Sequence, residues 1–159
     1  MILYHGSNVP VKEPRLLNVQ RDLDFGKGFY TTSDLEQASK WARRTAARLR
    51  QKESYVSVYE ILDSEMEKLR ILWFDSPNAD WLRFVADNRK GHPVSQNWDI
   101  IAGPVANDQT ASVIDLFLNG MYEEQEAIRR LLPQKLKDQY TFKTTEAIRL
   151  LRCREVICL

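Results

Sequence analysis

Phe25-Gly26-Lys27-Gly28-Phe29-Tyr30-Thr31-Thr32 is the stretch on which the fold turns. Two glycines one residue apart let the backbone adopt positive φ or approach a ligand closely. The aromatic and β-branched run Phe29 to Thr32 then reads as a short strand. Ser33-Asp34-Leu35-Glu36 follows with the capping-box pattern, in which Ser33 and Glu36 satisfy each other's backbone donors. A helix is expected from there to about Arg50, with Leu35, Ala38, Trp41, Ala42, Thr45 and Leu49 at the spacing of one buried face.

Outward from that segment, Ile2 to Tyr4 reads as a strand before it, and Tyr55 to Leu62, Leu69 to Phe74 and Trp98 to Ala102 as strands after it, the last ended by Gly103-Pro104. Ser76-Pro77 offers an N-cap followed by proline at the first helical position. The helix it opens runs to about Asn88, with Trp81, Leu82, Phe84 and Val85 on its apolar side. Ala111 to Leu118 and Glu123 to Leu132 look helical, Gln139 to Lys143 is a short strand, Thr145 to Arg152 a helix and Val156 to Leu159 a last strand. Asn8 to Asp24 and Asn88 to Asn97 are the longest loops. Strands in the first and last parts with helices between indicate α+β or mixed α/β. With no repeat, low-complexity tract or linker, residues 1–159 read as one domain.

A length of 159 residues suits one hydrophobic core. Hydrophobic residues make up 43% and charged residues 28%, which excludes disorder and membrane embedding. No apolar run approaches the roughly 20 residues that span a bilayer. MILYHGSN has no basic region leading into an apolar stretch, so no signal peptide is expected. The cysteines, Cys153 and Cys158, are expected as buried or half-buried thiols in a reducing cytosol, and no metal site is expected. The formal net charge is +1, which argues against a dedicated electrostatic binder of nucleic acid or anionic lipid. That total is uneven: residues 1–60 carry +3, residues 61–128 carry −7 and residues 129–159 carry +5.

Three segments carry candidate chemistry: Leu3-Tyr4-His5-Gly6-Ser7, the glycine segment already quoted, and Asp138-Gln139-Tyr140-Thr141-Phe142. Each has a plain alternative, respectively a structural histidine, a β-turn feeding a core strand, and an ordinary strand. Taken together they resemble the ADP-ribosyltransferase superfamily in its histidine–tyrosine–glutamate branch, to which diphtheria toxin and the poly-ADP-ribose polymerases belong. LYHGS matches the His-Gly end of that branch's first strand, and GKGFYTT its Gly-x-Gly-φ-Tyr segment. The branch's second aromatic, eleven residues after Tyr30, is here Trp41 rather than tyrosine, and Gln139 stands where the branch has its glutamate. Over nearly the whole chain, LYHGS, DFGKGFYTT, WDIIAGPVAND and QYTFKTTEAI are similar to a bacterial family, domain of unknown function 3990. Its members resemble the transferases and often lie beside a small partner, as toxin–antitoxin pairs do.

The resemblance implies split antiparallel sheets flanked by helices, with NAD as substrate and no metal. It implies catalytic positions at His5, Tyr30 and Gln139, and NAD-binding positions at Gly6, Ser7, Gly28, Trp41, Asn107 and Asp108. Tyr30 and Trp41 would offer aromatic faces to the cationic nicotinamide, a contact of about 0.5–2 kcal/mol. Gly6 would meet the nicotinamide carboxamide through its backbone, and His5 a ribose hydroxyl of the adenosine half. Cleavage of the glycosidic bond passes through an oxocarbenium-like state. Glutamine at 139 keeps a hydrogen bond but not the charge, and charge-assisted bonds are about twice as strong. Slower chemistry, or help from another carboxylate, is therefore expected, with Asp108 the first candidate and Asp22 and Asp24 weaker ones. Asp108 could equally cap the helix that follows it. Lys40, Arg43, Arg44, Arg48 and Arg50 form a solvated helix face, or else Arg43 or Arg44 steers a pyrophosphate.

The expected activity is a cytoplasmic mono-ADP-ribosyltransferase acting on a protein or nucleic-acid acceptor, as the toxin of a pair with a small antitoxin. NAD hydrolysis, with water as acceptor, is the second reading. A non-catalytic ADP-ribose or protein-binding module is the third. The acidic middle of the chain could face a basic partner.

Overall fold

In the computed structural model of the protein, residues 1–17, 23–92 and 97–159 are described, Gln109 by its backbone alone. Seven strands and six helices are interspersed along them. One sheet has the order β1-β3-β7, from Ile2–Ser7, Tyr55–Glu60 and Arg152–Cys158, all antiparallel. The other has the order β2-β6-β5-β4, from Phe29–Thr31, Asp138–Phe142, Ile100–Pro104 and Ile71–Trp73. The split into two sheets matches the expectation, but the second is mixed, because β4 runs parallel to β5. Helix α3 (Ala79–Arg89) makes the crossover that a parallel pair needs.

The sheets meet where Tyr4 and Thr32 exchange backbone hydrogen bonds of 2.8 and 3.0 Å. Leu3, Phe29, Tyr59, Ile100 and Phe142 share one buried cluster that spans both sheets. On the far face of the second sheet, Phe25, Trp81, Leu82, Ile101, Ile114 and Leu131 form another, built with α3, α4 (Asp108–Leu118) and α5 (Glu124–Leu131).

Helix α1 (Leu35–Arg48) departs from its expected face. Ala38, Ser39, Ala42 and Ala46 are buried, while Leu35, Trp41 and Leu49 are exposed. The reason is contact distance: a Cβ at Gly6 would run into the Ala38 carbonyl and come within 2.9 Å of the Ala42 nitrogen. Helix and strand backbones lie so close that only small residues fit between them. The cap differs too. The Asp34 carboxylate accepts from the Gln37 amide at 2.7 Å, so Asp34 is the N-cap; Ser33 instead donates from its amide and hydroxyl to Asp138.

Other boundaries move for similar reasons. Asn78, not Ser76, caps α3 by accepting from the Trp81 amide at 3.0 Å. Gly103 and Pro104 lie inside β5, where a Cβ on Gly103 would press on Phe74. Helix α6 is only Thr145–Ile148, since β7 begins at Arg152 to pair with Glu60. A further short helix, α2 (Asp63–Met66), follows β3 and was not expected. Cys153 is half-buried, but Cys158 is exposed rather than sheltered. Among the described residues, no helix is long and apolar enough to cross a membrane, and no group of three or more His, Cys, Asp or Glu could hold a metal ion.

Candidate functional site

The three candidate segments, far apart in sequence, lie side by side: β1 meets the end of β2 at the seam between the sheets, and β2 pairs with β6. His5 on β1 places Nδ1 2.7 Å from the Tyr30 carbonyl and stacks its ring on Phe29, centroids 4.3 Å apart. A carbonyl only accepts, so Nδ1 carries the proton and Nε2 is left as an acceptor. Burial pushes the imidazole below its ordinary pKa, outweighing the upward pull of the Tyr30 bond. His5 is therefore a neutral, fixed acceptor near neutral pH.

Gly6 has two tasks. Its missing side chain admits α1, as described above. Its backbone also points into the seam. Tyr4 directs its N–H and C=O at Thr32 rather than at β3, and the two-residue alternation of an antiparallel ladder sends those of Gly6 the same way. β2 offers them no partner beyond the Tyr4–Thr32 bridge among the described residues. The strand edge at Gly6 is thus open just where the sheets part.

Tyr30 pairs with Thr141 across β2 and β6, and its ring packs on the cluster of Phe25 and Ile101. Its hydroxyl donates to the Gly26 carbonyl at 2.6 Å and accepts from the Phe25 amide at 3.1 Å, closing the glycine turn. Burial raises its pKa well above the ordinary tyrosine value, despite the Phe25 bond. The glycines divide the work: Gly26 takes φ of 70°, whereas Gly28 lets the turn lie against β6, since a Cβ there would meet the Phe142 carbonyl at 2.8 Å. Lys143 pins the same turn by donating to the Phe25 carbonyl at 2.6 Å, with its pKa pushed down to about 8 by burial.

Gln139 lies two residues before Thr141 on β6, on the same face as Tyr30, and faces Gly103 across the ladder. It is buried, and its amide nitrogen is 3.5 Å from the Pro104 carbonyl, which also accepts from the Trp81 indole at 2.9 Å. A glutamate in this place would set a carboxylate against that carbonyl oxygen. The structure thus contains a local reason for the amide.

One face of α1 is tied to β6 and to the start of α4. The Gln37 amide donates to the Asp138 carbonyl at 2.9 Å, and Arg44 forms an ion pair with Asp108 at 2.5 Å. These anchors are seven residues apart, about 10 Å along a helix. Trp41 lies between them on the same side of the helix, 50% exposed, which places it at the surface and not in the core. Asp108 does not cap α4. Asn107 does so, accepting from the Thr110 amide at 3.2 Å. Ser7 stays local, its hydroxyl 3.4 Å from the Val9 amide that donates to it.

Of the weaker carboxylate candidates, Asp24 is committed to Arg89 at 2.7 Å and to the Ala106 amide at 3.2 Å, so it holds the loop before α4. Asp22 lies outside the described residues. Sequence reading missed Asp138, which accepts from Thr32 and twice from Ser33 and so ties β6 to the start of α1. Its only signal was its place beside Gln139. Two open cavities, of about 470 and 320 Å³, lie elsewhere, beside α3 and beside α6.

The architecture is an α+β fold of two sheets flanked by helices, with the three candidate segments on the neighbouring strands β1, β2 and β6. The chain belongs to the family described as Protein of unknown function (DUF3990), whose model matches residues 1–153. No curated protein and no solved structure matches it.

Proposed function

We propose that the chain is an NAD-dependent mono-ADP-ribosyltransferase on an ADP-ribosyltransferase-like fold, with the seam as its active site. The observation that carries this reading is the open backbone edge of Gly6 beside the fixed His5 acceptor, with β2 and β6, the strands of Tyr30 and Gln139, next in order. A carboxamide presents N–H donors beside a carbonyl acceptor, which an unpaired C=O and N–H complement. Trp41 and Tyr30 offer aromatic surface for a cationic ring, His5 Nε2 an acceptor for a ribose hydroxyl, and Arg44 a cation for the pyrophosphate once it leaves Asp108.

In the proposed reaction the bond between C1′ and the nicotinamide nitrogen breaks, its electron pair leaving with nicotinamide. The acceptor's lone pair then closes on C1′ and its proton passes to solvent. Gln139 contributes hydrogen bonding without charge, so the expected turnover is slow, and single transfer fits better than polymer growth. The acceptor is a protein or nucleic acid of the cytoplasm. The role of a toxin held by a small antitoxin follows the family resemblance.

The test is incubation with adenine-labelled NAD, following free nicotinamide and labelled macromolecules in a cell lysate. Wild type is expected to yield both, and Tyr30→Ala neither. Nicotinamide without labelled macromolecules would replace the reading with NAD hydrolysis. The approach of the Gln139 amide to Pro104 favours a second reading, a site that binds NAD without turnover; calorimetric binding with no nicotinamide release would select it.

A further inference from the structure

Strand β4 closes the second sheet with a bare edge. The Phe74 amide donates to Ala102 at 2.9 Å and the Ile100 amide to Arg70 at 3.3 Å, so the even-numbered residues along β4 bond to β5. By the same alternation, Ile71 and Trp73 direct their N–H and C=O groups outward, where no backbone partner occurs among the described residues. The outer edge of the other sheet is unlike this one. Strand β7 carries Arg152, Arg154 and Glu155, and Arg152 and Arg154 are held by Glu65 and Glu60. Charges of that kind are how proteins guard an edge against further pairing. β4 reads Ile-Leu-Trp with no charge, and Trp73 is 50% exposed.

Next to this edge lies the cavity of about 470 Å³ between β4 and α3. Leu72, Phe74 and Phe84 give it an apolar floor, and Asp75, Asp80 and Asp87 stand along it in solvent. Its one basic lining residue, Arg83, pairs with Glu124 at 2.5 Å and more loosely with Asp80 at 3.9 Å, which leaves Asp75 and Asp87 without a cation in the groove. The groove is therefore apolar below, acidic above, and bordered by unpaired backbone groups.

We propose that the β4 edge and this groove form a docking surface for a basic, extended segment of a partner protein, which adds to the sheet as a further strand. Backbone groups would pair with Ile71 and Trp73, alternate apolar side chains would enter the floor, and lysine or arginine would meet the three aspartates. A second copy of this chain is the poorer occupant. Two-fold pairing of β4 with itself would bring two sets of those aspartates together, and like charges repel. This surface stands apart from the seam and does not depend on the reaction proposed there.

The test uses the full chain and a short peptide of alternating lysine and valine, with its glutamate–valine counterpart as control, read by amide hydrogen exchange. The lysine peptide is expected to slow exchange at Ile71 and Trp73 by about tenfold or more, leaving Leu72, already bonded to β5, unchanged. The control peptide should do nothing. The double substitution Asp80→Lys and Asp87→Lys, at exposed positions, should weaken binding by about tenfold, and Trp73→Pro should abolish the protection by removing an outward donor. Equal protection by both peptides, or none at millimolar lysine peptide, would overturn the proposal. So would concentration-dependent protection of Ile71 and Trp73 with no peptide present, which would mean self-pairing.

Discussion

At the seam, His5 is bonded to the Tyr30 carbonyl at 2.7 Å, Tyr30 closes its own turn at 2.6 and 3.1 Å, and Tyr4 and Thr32 exchange backbone bonds. At the rim, α1 is joined to α4 by Arg44 and Asp108, two side chains that remain more than 60% exposed. The first region is held by buried, directional bonds whose loss leaves unsatisfied groups. The second is held by a solvated ion pair, which salt screens and a competing anion can take. The contrast separates a seam fixed by directional bonds from a rim whose ion pair is open to exchange.

The largest way to break this contrast is at Gly6. Gly6→Val forces side-chain atoms into the Ala38 carbonyl of α1. Overpacking commonly costs about 1–3 kcal/mol, and more where the obstacle is backbone. A loss of about 3 kcal/mol or more is expected, read as a fall in the denaturant midpoint of unfolding. An unchanged midpoint would mean that the close helix–strand contact does not hold the seam.

Asp99 sharpens the contrast, because it pairs a sheltered carboxylate with an exposed partner. Arg70 binds it at 3.0 Å, and the Arg70 amide and Thr144 hydroxyl also donate to it. The Arg70 side chain, first among these, holds the Asp99 carboxyl at about 2, against an ordinary 3.8. The folded chain thus binds fewer protons there than the unfolded one. The resulting stability is present above about pH 4 and is lost as the pH falls through about 2. After screening through the exposed guanidinium, the contribution is about 1 kcal/mol. Unfolding followed across that window should show this slope in the wild type and lack it in Asp99→Asn.

The smallest effect on stability is expected at the rim. Arg44→Gln should leave the unfolding midpoint unchanged while raising the KM for NAD in the nicotinamide assay. A large drop in midpoint would show that the rim is structural, like the seam.

Much of this was legible from residue order. Apolar, aromatic and β-branched runs located all seven strands by type, the last of them only over the end of β7, and Tyr30, His5 and Gln139 stood out through their motifs. The face of α1 was not legible. Leu35, Trp41 and Leu49 are the apolar residues that a periodicity argument buries, yet the strand beneath offers Gly6 and accepts only alanine and serine. Ser33 and Asp34 both suit a helix cap, and the choice between them was made by Asp138, about a hundred residues away in sequence.

By itself the sequence determined the class of fold and the residue types available for chemistry, because hydrophobic period, caps and turns are local properties of the chain. Only the tertiary structure decided that the Gly6 backbone opens at the seam while its missing side chain admits α1. It alone decided that Gly28 serves β6, that Trp41 stands outside the core, and that Arg44 reaches Asp108. Those outcomes are set by close approach between segments distant in sequence, and a pattern read along one chain carries no distance between two of its parts.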